Sequence, residues 1–174
     1  MSMKLVNVIK GGLAVLPFVV ASCMMNDDGD IPDFNEQLQS DIAAIDNYLA
    51  TNNIDAIEHS SGIRYVIWHD STGTNSATID SCVTTNYSGR LMSNGVEFDK
   101  GTNISFPLGG VIDGWRIGIP LLTVGDSATL YVPSGFAYGY YGYPPEIPSN
   151  ANLIFNVAVK NVGQTYKTSD RSCD

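Results

Sequence analysis

The sequence predicts an α+β fold, an antiparallel sheet wrapped around one short helix and preceded by an N-terminal amphipathic helix. Three observations carry that reading. From Ser61 onward, apolar residues recur at every second position in short runs separated by turn formers, the period of half-buried strands. One stretch, Val111 to Gly118, departs from that period as a short apolar turn of helix carrying Trp115. Ahead of the strands, Phe34, Leu38, Ile42, Ile45 and Leu49 repeat at helical intervals.

Composition is consistent with one domain and an appendage. The chain of 174 residues is 44% hydrophobic, enough to bury one ordinary core. Nine Lys and Arg against eighteen Asp and Glu leave a formal net charge of −9, and no basic cluster could follow a phosphate backbone. Nucleic acid is therefore not an expected partner. Seventeen Gly, eight Pro and nine Tyr among short apolar runs favour strands and turns over helix.

In chain order, Lys4 and Lys10 precede a mostly apolar run, Gly11 to Val20, which Val20-Ala21-Ser22-Cys23 closes with small residues. Residues 1–22 read as a signal peptide; the apolar run is well short of the roughly 20 residues needed to span a bilayer. A Cys directly after Val-Ala-Ser resembles the lipobox of bacterial lipoproteins, in which the sulfur of Cys23 is acylated and Cys23 becomes the new N-terminus. That resemblance implies an exported chain, lipid-anchored to the cell envelope at the periplasmic face or the outer surface of the outer membrane. Residues 23–33 hold little that could be buried and read as a flexible acidic tether. Residues 34–60 form the N-terminal helical segment, one helix ending near Thr51-Asn52-Asn53 and opened by Asp33 three residues before Glu36, close to a capping-box spacing. The apolar stripe of this helix is expected to dock on its own domain, with pairing to a second copy, a homodimer, as the alternative.

The domain proper is expected over 61–163, with a polar tail over 164–174. Ile63, Tyr65 and Ile67 alternate with Arg64, Val66 and Trp68 as one strand, and Cys82 to Leu91 is a β-branched second. Ser93-Asn94-Gly95 signals a tight turn, and Val96 to Asp99 answers across it. Ala128, Leu130 and Val132 alternate with Thr129 and Tyr131 until Pro133, which cannot extend a ladder. Leu153, Phe155, Val157 and Val159 share one face of a final strand. Trp115, Phe136 and Tyr138 could then form an aromatic cup with one polar handle.

Several of these segments, taken together, resemble one family. Tyr87-Ser88-Gly89-Arg90-Leu91, Asn94-Gly95-Val96-Glu97-Phe98-Asp99, Phe106-Pro107-Leu108-Gly109, Val111-Ile112-Asp113-Gly114-Trp115, Val124-Gly125-Asp126, Pro133 to Gly139 and Ile147 to Phe155 are similar, in order and spacing, to the FKBP-type peptidyl-prolyl cis-trans isomerases. The resemblance covers about Gly62 to Val162. It implies a half-barrel closed over a short helix, with a shallow apolar pocket between them. It further implies Trp115 as the pocket floor, with Tyr87, Phe98, Phe106, Val111, Ile112, Ala137, Ile147 and Phe155 around it and Asp99 and Tyr138 as polar members. Asp99, Tyr138, Phe98 and the backbone N–H of Ile112 would be catalytic, with Asp99 orienting Tyr138 or polarising the site; the other positions would bind substrate.

The implied reaction is non-covalent rotation about X-Pro peptide bonds, assisting the folding of exported proteins, and it calls for no cofactor and no metal. A proline-peptide binding module or holdase with weak turnover is the alternative. Other chemistry fails on inventory: Pro133-Ser134-Gly135 lacks the first Gly of a nucleophile elbow, and His59 and His69 have no metal-like spacing. Tyr140, Tyr141 and Tyr143 make the loop after Tyr138 unusually tyrosine-rich, a rim suited to extended chains, and Glu146 and Lys100 depart from the family pattern. Cys82 and Cys173 are expected to stay unbridged, Cys82 as a small buried hydrophobe; a bridge pinning the tail is the alternative that an oxidising compartment would allow.

Overall fold

The computed structural model of the chain describes residues 33–163 and Cys173. The expected signal segment, Cys23, the acidic tether and the polar tail other than Cys173 lie outside the described residues. Helix α1 (Phe34–Thr51) starts where the sequence places it, because the Asp33 carboxylate accepts hydrogen bonds from the backbone N–H groups of Asn35 and Glu36. It stops at Asn52, and Asn53 follows with φ at 53°, a left-handed conformation that Asn tolerates.

Six antiparallel strands follow: β1 (Ile57–Glu58), β2 (Arg64–His69), β3 (Cys82–Leu91), β4 (Glu97–Pro107), β5 (Ser127–Val132) and β6 (Leu153–Gly163). They form one sheet in the order β1-β2-β5-β6-β3-β4, and the six-residue helix α2 (Asp113–Gly118) crosses its inner face. The α+β architecture expected from the sequence is the one observed. Two boundaries shift. The helical segment expected over 34–60 holds, beyond its helix, the strand β1, which pairs with β2, so the sheet begins ahead of residue 61 and His59 sits in the connecting turn. The answer to the Ser93–Gly95 turn is also far longer than Val96 to Asp99, because β4 runs on to Pro107 against the whole of β3.

The core lies between the sheet and α2. Val83, Leu91, Leu108, Trp115, Ile119, Leu122, Leu130, Val132, Leu153, Phe155, Val157 and Val159 are buried there in one cluster. Burial of such side chains contributes about 1.5–3 kcal/mol each. Gly118 permits the close packing of α2: a Cβ there would sit 2.7 Å from Leu130 Cδ1, on β5.

The expectation that β5 is half-buried is corrected: Thr129 and Tyr131, which alternate with its core residues, are also buried. The Thr129 hydroxyl accepts from the Trp68 indole N–H and donates to Asn156 Oδ1 on the neighbouring strands, whereas for Tyr131 the reason is α1, which lies on the outer face. Ile45 and Leu49 pack there with Tyr131 and Ile154 in a second buried cluster. Arg64, the first residue of β2, which alternates with Ile63 and Tyr65, is likewise buried, and its guanidinium meets Asp46 of α1 through two bonds of 2.9 and 3.1 Å and donates to the Gly62 carbonyl. The apolar stripe of α1 thus packs against its own domain.

The expectation that Cys82 and Cys173 remain unbridged is corrected too. They form a disulfide, with Cα atoms 5.6 Å apart, which joins Cys173 to the start of β3. Strand geometry explains why Cys82 does not act as an inert core residue: it is only partly buried, as the first residue of β3, opposite the last residue of β6, Gly163.

Candidate functional site

The pocket is built from six parts of the chain. Tyr87 comes from β3, Phe98, Asp99 and Phe106 from β4, Phe155 from β6, Gly110 to Ile112 from the turn before α2, and Trp115 from α2 itself. Tyr138, from the loop after β5, closes one side. Together they enclose about 380 Å³, within the range of small-ligand sites.

Two consecutive strand residues ordinarily point to opposite faces, yet both Phe98 and Asp99 line this pocket. A bulge makes that possible. Arg90 pairs with Glu97 and Gly89 with Asp99, so Phe98 is the extra residue of β4 and the strand re-aims around it. Phe98 then meets Phe155 edge-on, with ring centroids 5.7 Å apart.

Trp115 forms the floor. It is 5% exposed, and the rings of Tyr87, Phe106 and Phe155 stand around it with centroids 5.1, 5.1 and 5.4 Å from its own. Such edge and tilted contacts add about 0.5–1.5 kcal/mol apiece to area burial. Its indole N–H is buried and has no hydrogen-bond partner among the described residues, a cost borne at the pocket floor. Ile112 caps α2: its carbonyl accepts from the N–H groups of Trp115 and Arg116, and among the described residues no backbone carbonyl accepts from its own N–H.

Of the two roles expected of Asp99, orienting Tyr138 or polarising the site, the first is not what the structure shows. Asp99 does not bond Tyr138; its Oδ2 accepts a 2.8 Å hydrogen bond from the Tyr87 hydroxyl. The register explains the exchange, since Tyr87 pairs with Gly101 and Asp99 with Gly89, which makes the two diagonal neighbours on adjacent strands. Burial, then the hydrogen bond to and the negative charge of Asp99, push the Tyr87 phenol up to about 12. Tyr138 is also raised, first by burial and then by the charge of Asp99 and the nearby Tyr143. Both phenols are therefore held as neutral donors at one rim of an apolar cup, with one carboxylate between them.

A sequence model of the FKBP-type peptidyl-prolyl cis-trans isomerases matches residues 73–160, half of the chain. The chain belongs to this family. A probable FKBP-type peptidyl-prolyl cis-trans isomerase FkpA from Neisseria meningitidis is 40% identical over 108 residues, 60% of this chain but only 39% of that relative. FK506-binding protein 1 of Saccharomyces cerevisiae is 42% identical over 86 residues, 46% of this chain and 75% of the relative. Among solved structures, a peptidyl-prolyl cis-trans isomerase from Pseudomonas syringae superposes with a TM-score of 0.63 at 26% identity, covering 78% of this chain and all of the other. FkpA from Escherichia coli gives 0.62 at 29% identity, covering 74% and 62%.

Of the residues expected in this FKBP pocket, the fold brings together Tyr87, Phe98, Asp99, Phe106, Val111, Ile112, Trp115, Tyr138 and Phe155. Ile147 and Ala137 do not line it. Ile147 exchanges two backbone hydrogen bonds with Tyr143, and its side chain is turned into the core at 2% exposure. Ala137 follows a 3-10 turn over Ser134–Phe136 and packs against the core cluster. Gly110 is a wall residue that sequence reasoning missed; having no side chain, it contributes only backbone, which no residue pattern announces. The tyrosine-rich loop stands beside the pocket, with Tyr143 5.9 Å from Tyr138 and Tyr141 73% exposed.

Proposed function

We propose that the chain catalyses cis-trans rotation about X-Pro bonds in exported polypeptides, with Asp99, Tyr138, Phe98 and the Ile112 N–H as its catalytic groups and with Cys23 acylated as its anchor to the cell envelope. The observation that carries the reading is the open aromatic cup floored by Trp115 with neutral phenol donors at its rim. An X-Pro amide rotates slowly because its C–N bond must lose partial double-bond character, a barrier of about 18–20 kcal/mol. Catalysis requires that the twisted amide be held better than either planar form.

The cup suits that task. The proline ring packs on Trp115 between Tyr87, Phe98 and Phe155, and the apolar walls exclude water from the amide, which removes the hydrogen bonds that stabilise its planar, polar form. The Ile112 N–H and the Tyr138 hydroxyl then hold the flanking carbonyls, so the chain on one side stays fixed while the bond turns. Asp99, fixed by Tyr87, presents its negative charge at the rim, and no bond is made or broken and no proton moves.

Location rests on the segment ahead of the domain. No helix of the described residues is long and apolar enough to cross a membrane. A lipid on Cys23, followed by the acidic tether of residues 23–33, would hold the domain at the envelope among newly exported chains.

The test measures cis-to-trans exchange of short X-Pro peptides with different residues before the proline. The reading expects turnover that falls in Asp99→Val and Tyr138→Phe. Binding of the same peptides without acceleration would leave a proline-binding module or holdase instead. For the anchor, Cys23→Ser should release the protein from the membrane fraction, and unchanged association would exclude lipidation at that residue.

A further inference from the structure

The loop that ends at Tyr138 is not held by the sheet alone. Ser134, first residue of the 3-10 turn after β5, is fully buried, and its backbone N–H and hydroxyl both donate to one carboxylate oxygen of Asp41, at 2.8 and 2.6 Å. Asp41 lies in the middle of α1, a strongly polar residue at 3% exposure in a helix whose other polar residues are mostly in water. Its second oxygen accepts from the Gln37 amide at 2.8 Å, and Asn152, at the start of β6, accepts from the same Ser134 N–H at 3.0 Å. The same helix reaches the same turn a second time: Phe34 meets Phe136 edge-on at 5.8 Å and lies against Gly135.

A buried carboxylate is costly to keep, and α1 already has two buried apolar residues and the Arg64–Asp46 pair to fasten it to the sheet. Asp41 is spent on something more specific, the position of the turn four residues before Tyr138. We infer that Asp41 is a positioning residue for the reaction: α1 is a brace that sets the Ser134–Phe136 turn and through it the hydroxyl of Tyr138 at the pocket rim. The inference rests on the proposed role of Tyr138. It makes the helix ahead of the FKBP domain part of the catalytic apparatus, acting on a residue 97 positions along the chain.

The experiment is a double-mutant cycle on kcat/KM with an Ala-Ala-Pro-Phe peptide. Asp41→Ala should lower kcat/KM about tenfold, mainly through kcat, because a misplaced donor weakens the transition state more than the ground state. In a Tyr138→Phe background the same change should cost less than about twofold, since the group it positions is gone. Asp41→Asn should stay within about threefold of the parent, because its amide oxygen can still accept from Ser134 and its N–H₂ can face the Gln37 oxygen. Asp46→Asn, which loosens α1 by breaking the Arg64 pair, should leave kcat/KM unchanged. If Asp41→Ala does not fold, Ser134→Ala removes the hydroxyl bond from the other side while the backbone N–H still donates, and should show a smaller loss with the same dependence on Tyr138.

Equal losses in both backgrounds, or an Asp46→Asn loss as large as that of Asp41→Ala, would reduce Asp41 to a structural role and overturn the inference. Full activity in Tyr138→Phe would instead remove the role of Tyr138 itself. A slow Tyr138→Phe beside a fully active Asp41→Ala would remove only the brace.

Discussion

The Tyr87 hydroxyl donates to Asp99 across the β3–β4 ladder at 2.8 Å, and this bond fixes the one carboxylate that lines the pocket. Asp99 is exposed, so the bond's net worth to folding is small, about 0.5–1.5 kcal/mol, but it holds the charge at a chosen place on the rim. Tyr87→Phe should therefore leave stability nearly unchanged and slow isomerisation about three- to tenfold, while Asp99→Val should slow it by about one to three powers of ten. Double-mutant analysis on kcat/KM checks the link: the Tyr87→Phe effect should shrink when Asp99 is already Val.

The reaction should be insensitive to pH around neutrality. Burial and Asp99 hold Tyr87 near 12, and burial raises Tyr138 as well, so both stay protonated donors well into alkali. The expected kcat/KM profile is flat from about pH 6 to 9 and declines only as phenols begin to ionise above the ordinary tyrosine value near 10. A bell-shaped profile centred near neutrality in a peptide assay would mean that a titrating group the pocket does not show carries the rate.

The sequence made these sites unequally legible. The β-branched run of β3, the alternation in β6 and the helical stripe of α1 are local signals, and the segments they predict match the observed elements to within a residue or two. Trp115 and the aromatic walls were legible through joint placement of motifs. What was hidden depends on the third dimension. Nothing local marks Phe98 as the extra residue of a bulge, or tells Asp99 to choose Tyr87 over Tyr138, because both follow from the register between strands. Tyr131 and Arg64 looked like solvent-facing positions of half-buried strands, and the helix that covers them lies elsewhere in the chain. Cys82 and Cys173, 91 positions apart, carried no pairing signal for the same reason.

The disulfide has a direct check. With Cys23 replaced by Ser, thiol titration under denaturing conditions should find no free thiol before reduction and two after it, from Cys82 and Cys173. Two free thiols without reductant, in protein purified from an oxidising compartment, would contradict the bridge.

Asp126 is expected to contribute to the acid limb of the stability curve. It is 3% exposed; burial alone would raise its carboxyl, but the N–H groups of Thr123 and Ser71, at 2.7 and 2.6 Å, outweigh that and hold it below the ordinary value of 3.8. A carboxyl depressed on folding contributes stability above its unfolded value and loses it as pH falls through the folded one. That contribution should be complete above about pH 5 and vanish well below 3.8. Asp126→Asn should cost about 1–3 kcal/mol at pH 7 and flatten the fall in melting temperature on acidification.

The last prediction concerns the pocket wall. Gly89 lies under the two rings that meet edge-on: a Cβ there would sit 2.7 Å from both Phe155 Cε1 and Phe98 Cζ. Phe155 is 4% exposed and packed against Trp115, whereas Phe98 stands on the bulge and is only partly buried, so Phe98 is the ring that yields. Gly89→Ala should accordingly push Phe98 toward the cavity, narrowing the space for a proline ring. Overpacking of this kind costs about 1–3 kcal/mol of stability, and the protein should still fold. In the peptide assay KM should rise about five- to thirtyfold while kcat falls less, because the loss is of room for the substrate rather than of the donors that act on the twisted amide. An unchanged KM with the expected loss of stability would show that Phe98 moves outward instead and is not a wall that the substrate feels.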